Sequence, residues 1–295
     1  MKSILLIGKN GQVGWELQHT LLPLGRVIAM DRAQLDITDS DAVRKTIREI
    51  SPDIIVNAAG YTTVDKAESE SDLAMQVNAV APGIMAEEAQ RIGALLVHYS
   101  TDYVYDGTQS RPYVEADEPN PVNIYGQSKL AGERAITAVG CKHLILRASW
   151  IYSARGANFV LTMLRLAKAK KDIAVVNDQI GSPTWARELA ANTATIIGGY
   201  SDPARHSGIF HLSAVDATSR YAFAKEIVGH AQHISVEAGT WATVHETTTA
   251  NYPLPAARPL NATTSKDKVQ NTFGITLSTW KDELHAFLRE YRRTP

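Results

Sequence analysis

The chain has almost no cysteine, little net charge and no long apolar run, and each of these features excludes a class of protein. Cys141 is the single cysteine among 295 residues, which excludes an intramolecular disulfide framework and suits a reducing compartment. A formal net charge of −1 gives no support for binding nucleic acid or an anionic membrane surface. No apolar run approaches the roughly 20 residues of a membrane span, and the N-terminal segment lacks the features of a signal peptide. We therefore expect a cytoplasmic protein without nucleic-acid or membrane partners.

The first half of the chain alternates between short apolar segments and amphipathic ones. SILLIG (residues 3–8) and PDIIVNAAG (residues 52–60) are typical of strands covered on both faces. SDAVRKTIREIS (residues 40–51) is typical of a helix, and Asp39 or Ser40 is a good cap for it. Because strand and helix patterns alternate without hairpin signals, the sequence predicts an α/β fold with a doubly wound, Rossmann-like parallel sheet.

The second half of the chain has a less regular pattern. Helices are predicted at 71–92 in the first half and at 157–170, 185–198, 219–231 and 278–291 in the second, with strands at 173–178 and 209–213. We predict a dinucleotide-binding domain over residues 1–148. Residues 149–295 are predicted to form mainly a smaller, interleaved substrate-binding lobe, with some segments returning to the first domain.

Three glycines follow the first predicted strand and open the first predicted helix. Gly8, Gly11 and Gly14 have the spacing G-x-x-G-x-x-G. Glycine permits a tight turn and close approach of the backbone, and the start of the helix then faces a pyrophosphate. This motif predicts a dinucleotide site, and the alternative is an ordinary turn between a strand and a helix.

The end of the second predicted strand carries charges that bear on the choice of cofactor. Asp31 lies where an acidic residue binds the adenosine ribose hydroxyls, which favours NAD. Arg32 follows it and suits the 2′-phosphate of NADP. The preference therefore stays open, and MDR can also be only a polar strand end. The small residues NAAG (57–60) leave room for a cofactor over the third strand or, alternatively, for tight packing of a helix.

A tyrosine and a lysine four residues apart are the first catalytic candidates. On a helix, Tyr125 and Lys129 share one face, and a nearby ammonium lowers the pKa of a phenol. The fourth predicted strand ends in Ser100, Thr101 and Asp102, where ligands bind open parallel sheets. A hydroxyl there can meet the same substrate oxygen as Tyr125. Each motif alone also has a structural explanation. The tyrosine and lysine can be a chance pair on a helix, and the polar residues after the fourth strand can be a strand-end cap.

Together and in this order, the motifs resemble the extended short-chain dehydrogenase/reductase superfamily. PDIIVNAAGYTTVDKAES, HYSTDYVYDG, YGQSKLAGE, RASWIY and NDQIGSPT resemble, more narrowly, the family of dTDP-4-dehydrorhamnose reductases. The blocks cover most of the first 190 residues, and the last third matches mainly through ARPLN. The resemblance implies reduction of the 4-keto group of dTDP-6-deoxy-L-lyxo-4-hexulose (dTDP-4-dehydro-L-rhamnose) by NADPH or NADH. The product would be dTDP-L-rhamnose, at the last step of its synthesis.

The resemblance also implies catalytic roles. Tyr125 would donate a proton to the developing alkoxide, and Lys129 would lower the pKa of this tyrosine and hold the nicotinamide ribose. Thr101 would hydrogen-bond the carbonyl oxygen, with Ser100 as the second choice for this hydroxyl.

Motifs and resemblance together give the binding residues. For the cofactor these are, besides Tyr125 and Lys129, the residues Gly8, Gly11, Gln12, Val13, Gly14, Asp31, Arg32, Asp36, Ile37, Ala59, Gly60, Tyr61 and Thr62. For the sugar nucleotide they are Thr101, Asp102, Trp150 and Arg258. The indole of Trp150 suits an apolar 6-deoxy face, and Arg258 suits a diphosphate. A core tryptophan and a surface arginine are the alternatives, and ARPLNATTSK differs from the serine-containing loop expected in this family.

Some relatives hold Mg²⁺ with acidic residues at a homodimer interface, so the resemblance also implies a homodimer for this chain. The resemblance places Glu16 and Glu188 where two such ligands would fall, but it places no third. Exposed helix carboxylates are the alternative. The nine histidines follow no zinc pattern.

Two competing functions are open. A sugar-nucleotide epimerase or dehydratase would share the fold, although dehydratases carry T-D-E where this chain has Thr101, Asp102 and Tyr103. A non-catalytic regulatory subunit would keep the fold and the cofactor site. The joint presence of Thr101, Tyr125 and Lys129 favours the enzyme.

Overall fold

A six-stranded parallel sheet organises the computed structural model, which describes residues 1–199, 206–234 and 241–291. Its strands are β1 (Lys2–Ile7), β2 (Gly25–Met30), β3 (Ile54–Asn57), β4 (Leu95–Thr101), β5 (His143–Ala148) and β10 (Gly208–His211). Their order is β10-β5-β4-β3-β1-β2, and every neighbouring pair is parallel. The predicted doubly wound α/β fold is confirmed. The chain reverses its winding direction between β1 and β3, which is where such sheets bind ligands.

Both faces of the sheet are covered by apolar helix faces, as the continuous apolar strands require. In β1, Ile4 and Leu6 point to one hydrophobic cluster, whereas Leu5 and Ile7 point to the other. The helices of the first cluster are α1 (Gln12–Thr20) and α8 (Ala186–Gly198), and those of the second are α2 (Ser40–Ile50), α5 (Ala81–Ile92) and α6 (Ile124–Val139). Within the described ranges, no helix is long and apolar enough to cross a membrane.

The helix predicted over residues 71–92 is interrupted by a wider turn. After a short helix α3 (Val64–Ala67), the chain forms α4 (Ser71–Met75), a π-helical turn (Gln76–Val80) and then α5. The wider turn directs Asn78 inward, where its amide exchanges two hydrogen bonds of 2.9 Å with the backbone of Tyr61 and donates a third to Ser128. The π turn therefore ties the loop after β3 to α6.

The second half of the chain builds a lobe around aromatic side chains. Its core includes Tyr152, Phe223, Trp280 and Phe287. The helices are α7 (Phe159–Ala169), α9 (Arg220–Ile234) and α11 (Trp280–Tyr291), and the strands are β6 (Ile151–Tyr152), β7 (Asp172–Val176), β8 (Ile180–Gly181), β9 (Thr184–Trp185), β11 (Thr218–Ser219) and β12 (Thr243–Thr247). A further short helix, α10 (Asp267–Phe273), packs against the first hydrophobic cluster of the sheet. The four helices predicted in the second half correspond to α7, α8, α9 and α11 and are confirmed, whereas α10 and β12, which pairs with β7, have no counterpart among the predicted elements. The division at residue 148 stays a prediction.

A buried ion pair fixes α6 against the sheet. Arg147 of β5 and Glu133 of α6 are each 2% exposed and form a salt bridge of 2.6 Å. Arg147 also donates to the hydroxyl of Tyr105 over 2.6 Å. A buried carboxylate is costly without its ionic partner, so Glu133 stays beside Arg147. This fixes the position of α6 relative to β4 and β5.

Candidate active site

Tyr125 and Lys129 lie in the first turns of α6, directly beside the end of β4. Asn123 caps the helix by accepting a hydrogen bond of 2.8 Å from the N–H of Gly126. A side chain at Gly126 would place Cβ 2.2 Å from the carbonyl oxygen of Tyr103, so glycine allows the helix to approach this closely. The side chain of Thr101 acts on the pKa of Tyr125, so the two hydroxyls lie close together. The structure thus brings the predicted threonine and tyrosine together.

The hydroxyl of Thr101 is part of a buried chain of hydrogen bonds. Thr101 donates to Asp102 over 3.0 Å, and Ser149 donates to the other carboxylate oxygen over 2.6 Å. Burial raises the pKa of Asp102 to about 6, although these two hydroxyls and the charge of Arg220 act in the opposite direction. The alternative hydroxyl, Ser100, donates instead to Glu133 in the core. Thr101 is therefore the hydroxyl beside Tyr125.

Lys129 does not have the effect on Tyr125 that the sequence pattern predicts. Its ammonium nitrogen donates to the carbonyl oxygen of Tyr99 over 2.5 Å and lies 3.2 Å from Nε2 of His98. Burial lowers the pKa of Lys129 to about 8 and raises the pKa of Tyr125 above its ordinary value. The predicted lowering of the tyrosine pKa is wrong for this structure, because the lysine is directed to the strand and burial dominates at the phenol.

The buried ring of His98 lies between Asn57 and Lys129. Asn57 accepts a hydrogen bond from the N–H of Ala59, so its amide nitrogen faces Nδ1 of His98 at 3.1 Å. With Nδ1 accepting, we assign the proton of the neutral ring to Nε2, which faces Lys129. An ammonium at Lys129 cannot donate to that N–H, so its hydrogen bond goes to the carbonyl oxygen of Tyr99.

The glycine turn after β1 has the close approaches that a dinucleotide site needs. Gly8 has φ +91°, and a Cβ there would lie 2.7 Å from the backbone nitrogen of Ala59. A Cβ on Gly14 would lie 2.0 Å from the carbonyl oxygen of Gly8. Helix α1 begins after Gly11 without a side-chain cap, so its first N–H groups are available to an anion. These residues fit the phosphates of a dinucleotide.

The loop after β3 connects this cradle with Lys129. A Cβ on Gly60 would lie 3.9 Å from Nζ of Lys129, while Gly8 adjoins Ala59. The loop is fixed by the hydrogen bonds between Tyr61 and Asn78. The predicted cofactor residues of β1 and β3 and the predicted catalytic lysine therefore border one space.

The end of β2 carries a charge that the motifs did not indicate. Lys9 forms an ion pair of 3.3 Å with Asp31. Arg32 is largely exposed and pairs with Asp36, also at 3.3 Å. Asp36 additionally accepts hydrogen bonds from Thr38, and Ile37 packs into the second hydrophobic cluster. The positive charges of Lys9 and Arg32 thus offset the negative charge of Asp31, which would otherwise disfavour a 2′-phosphate.

Trp150 has an unusual backbone conformation, and its ring stacks with Arg220, a residue that the sequence motifs did not indicate. Its φ of 43° lies in the left-handed region, which is rare for a bulky residue and often marks a functional site. The guanidinium of Arg220 lies 3.5 Å over the indole, and Gly181 leaves room for the ring on another side. Arg220 is far from Trp150 in sequence and has no motif around it, so only the fold reveals it.

Arg258, which is predicted to bind the diphosphate, forms two contacts within the chain. One of its nitrogens donates to the carbonyl oxygen of Ala256 over 2.6 Å, and another forms an ion pair of 2.9 Å with Asp65. Both Arg258 and Arg220 act electrostatically on the buried hydroxyl of Tyr103. Two cationic side chains therefore approach the strand ends from the second half of the chain.

A cavity of about 1000 Å³ lies beside the hydrogen-bond chain of Asp102. Ser182 lines it and donates its backbone N–H to Ser149 over 3.4 Å. Lys266 also lines it, and burial lowers the pKa of this lysine to about 8. The cavity is large enough for a small organic ligand.

The predicted Mg²⁺ site finds no support. Glu16 forms an ion pair of 3.3 Å with Arg187, which also pairs with Glu290. The guanidinium places a positive charge beside Glu16, which opposes binding of a divalent cation there. Burial, and to a lesser extent the charge of Glu188, raises the pKa of Glu283 to about 8. Glu188 belongs to no group of metal ligands among the described residues. The homodimer stays a prediction.

The parallel sheet, the glycine turn after β1 and the threonine, tyrosine and lysine at the strand ends define an extended short-chain dehydrogenase/reductase. The sequence matches the family described as "RmlD substrate binding domain" over residues 1–293, and the chain belongs to this family.

Named relatives agree with this assignment over nearly the whole chain. The dTDP-4-dehydrorhamnose reductase of Escherichia coli K12 is 43% identical over 292 residues, covering 98% of this chain and 97% of the relative. The enzyme of that name from Burkholderia thailandensis is 42% identical over 292 residues, covering 97% and 98%. The crystal structure of dTDP-4-dehydrorhamnose reductase from Bacillus anthracis in complex with NADP is 36% identical, with a TM-score of 0.90 and coverage of 98% and 99%.

Proposed function

We propose that the chain reduces the 4-keto group of dTDP-4-dehydro-L-rhamnose to dTDP-L-rhamnose with NADPH or NADH. The observation that carries this proposal is that Tyr125 of α6 and Thr101 at the end of β4 come together beside a glycine cradle that fits a dinucleotide. The choice of substrate rests on relatives such as the dTDP-4-dehydrorhamnose reductase of E. coli, which is 43% identical over almost the full length.

The residues of the chain perform the proton chemistry. When bound, the nicotinamide supplies the hydride that adds to the carbonyl carbon. Tyr125 donates its proton to the carbonyl oxygen, which becomes the hydroxyl of the product. This phenol is protonated at neutral pH and can act as the general acid; burial raises its pKa, which favours the protonated form but weakens the acid.

Thr101 and Asp102 support this transfer. In the structure Thr101 donates to Asp102 and lies close to Tyr125. When a carbonyl oxygen lies between the two hydroxyls, Tyr125 can donate to it, and Thr101 can donate as well once its single proton turns from Asp102 to the carbonyl, which stabilises the negative charge that develops there. Asp102 positions the threonine, and Ser149 positions Asp102.

The charges at the end of β2 support use of both nicotinamide cofactors. Asp31 suits the ribose hydroxyls of NADH, and Lys9 and Arg32 suit the 2′-phosphate of NADPH. Neither sign of charge dominates this end of the site. We expect both cofactors to be oxidised.

The second half of the chain supplies the groups for the sugar nucleotide. Trp150 offers an apolar ring for the 6-deoxy carbon, with Arg220 stacked on it. Arg220 and Arg258 supply positive charge for the diphosphate. The cavity beside Ser182 offers space for part of the nucleotide.

The test is oxidation of the reduced cofactor by the keto sugar. Purified protein is mixed with enzymatically generated dTDP-4-dehydro-L-rhamnose and NADPH, then NADH, and the absorbance of the reduced cofactor is followed. Tyr125→Phe should lower turnover by about 10²-fold or more, since it removes the general acid. The matched control is Tyr291→Phe, on α11, which should retain turnover. Absence of oxidation although the cofactor binds would contradict the substrate, and full activity of Tyr125→Phe would contradict the role of the tyrosine.

A further inference from the structure

Two histidines and a glutamate that serve neither the core nor the proposed reaction meet where α9 and α11 pack together. Glu226 and His230 are four residues apart on α9 and therefore share one face of the helix. His285 projects from α11. One potential ligand atom from each residue lies within 4.8 Å of the others, and all three residues are partly buried.

One nitrogen of this group lacks a partner. Nε2 of His230 is buried and makes no hydrogen bond, which is costly for a polar atom. The ring of His230 lies parallel to that of His285, with centroids 3.9 Å apart and planes 9° from parallel. His285 itself is 2.7 Å from a carboxylate oxygen of Glu226. An unpaired nitrogen therefore lies beside a second imidazole and a carboxylate.

We propose that Glu226, His230 and His285 bind one divalent transition-metal ion, for which Zn²⁺ is the best match. Two imidazole nitrogens and one carboxylate oxygen are a donor set that Zn²⁺ accepts, with a fourth position open to water. Mg²⁺ and Ca²⁺ prefer oxygen ligands and fit this set poorly. The site is distinct from Glu16 and Glu188, and it does not depend on the proposed reaction.

Two adjustments of the side chains would close them around an ion. At Zn–ligand distances of about 2.0–2.2 Å and tetrahedral angles, two donor atoms lie about 3.3–3.6 Å apart. His285 and Glu226 would then separate slightly from their present 2.7 Å. The parallel lone pairs of the two rings must converge, so the ring of His230 has to rotate. Burial lowers the pKa of His230, which keeps the imidazole neutral and able to ligate.

A nearby positive group limits the affinity. The guanidinium of Arg289 on α11 acts electrostatically on His230. Its permanent charge opposes a divalent cation, so Arg289→Gln should strengthen binding. This variant tests the electrostatic part of the proposal, whereas substitution of the ligands tests the site itself.

The experiment is calorimetric titration of the full-length chain with ZnCl₂, after chelator treatment and without a polyhistidine tag. We expect one Zn²⁺ per chain, undiminished by excess Mg²⁺. His230→Gln and His285→Gln should each weaken binding at least about 10-fold, since each removes a direct ligand. His233→Gln is the matched control, because His233 is exposed on the same helix and should leave the Zn²⁺ in place.

Circular dichroism and cofactor oxidation without Zn²⁺ establish that each variant is folded. Unchanged Zn²⁺ binding in His230→Gln and His285→Gln would overturn the proposal. Absence of stoichiometric binding to the wild-type chain would overturn it as well, as would equal loss of binding in His233→Gln. Loss confined to the two ligand variants, with tighter binding in Arg289→Gln, would support it.

Discussion

Burial of the Asp102 carboxylate leads to a prediction about how stability depends on pH. The pH dependence separates the cost of burying this charge from the other effects of a substitution. Asp102 is 2% exposed, and burial raises its pKa from 3.8 to about 6. In Asp102→Asn the group no longer titrates. We predict that the variant gains stability over the wild type as pH rises.

The size of the effect follows from the shift. A difference of about 2 pH units corresponds to about 3 kcal/mol, at roughly 1.4 kcal/mol for each unit. Because the folded-state pKa lies above the unfolded-state value, the wild type is most stable with Asp102 protonated. Its stability then falls as pH rises through about 4 to 6. The advantage of Asp102→Asn should therefore grow by about 3 kcal/mol across this range and level off near neutrality.

The assay is unfolding of both proteins by urea or heat at several values between about pH 4 and 8. For a chain of this size, 3 kcal/mol corresponds to a shift of about 6 °C in midpoint. Lost or strained hydrogen bonds to Thr101 and Ser149 change the difference by an amount that does not depend on pH, so the slope is the readout. A difference that stays constant, or that shrinks as pH rises, would refute the reasoning.

Asp53 provides the matched control with the opposite sign. The backbone N–H of Ser3 holds the pKa of Asp53 below its usual value, despite some burial. Its favourable contribution is present above the unfolded-state pKa and is lost only as pH falls through the lower folded-state value. The difference between wild type and Asp53→Asn should be flat above about pH 5 and should move in the opposite direction below it.

Two further predictions concern the scaffold. Glu133→Gln leaves the buried Arg147 without its ionic partner and should cost about 3–5 kcal/mol in urea unfolding; a loss below about 1 kcal/mol would contradict a structural role for the pair. Gly14→Ala would place Cβ 2.0 Å from the carbonyl oxygen of Gly8 and should abolish NADPH binding in a calorimetric titration. Gly229→Ala, where Cβ meets open space in α9, should instead bind NADPH normally and gain about 1 kcal/mol; equal behaviour of the two variants would argue against steric crowding in the glycine turn.

Local patterns predicted most of the sheet and the centre of the site. The apolar strands, the glycines of the first turn and the four-residue spacing of Tyr125 and Lys129 are local signals, and the structure brings Tyr125 and Thr101 together as the motif order indicates. The cap of α2 is Asp39, one of the two residues that the pattern allowed.

The features that sequence did not predict arise from contacts between distant segments. Arg220 reaches Trp150 only because α9 begins at the strand ends, and no periodicity signals that position. The π turn at Gln76–Val80 has an ordinary helical pattern, so its inward Asn78 emerges only from the three-dimensional structure. The pKa of Tyr125 depends on burial, which outweighs the sequence proximity of Lys129.

Strand β10 has a consequence for the two halves of the molecule as folding units. It pairs with β5 from Gly208↔Leu144 to His211↔Arg147, so the edge of the cofactor-binding sheet is supplied by the later half of the chain. A fragment ending at residue 148 would leave β5 with a row of unpaired backbone groups and would uncover Leu144 and Leu146. Such an edge invites pairing with other chains. The nucleotide-binding half should consequently aggregate when produced by itself, and newly synthesised chains should complete this sheet only after more than two thirds of the sequence has emerged.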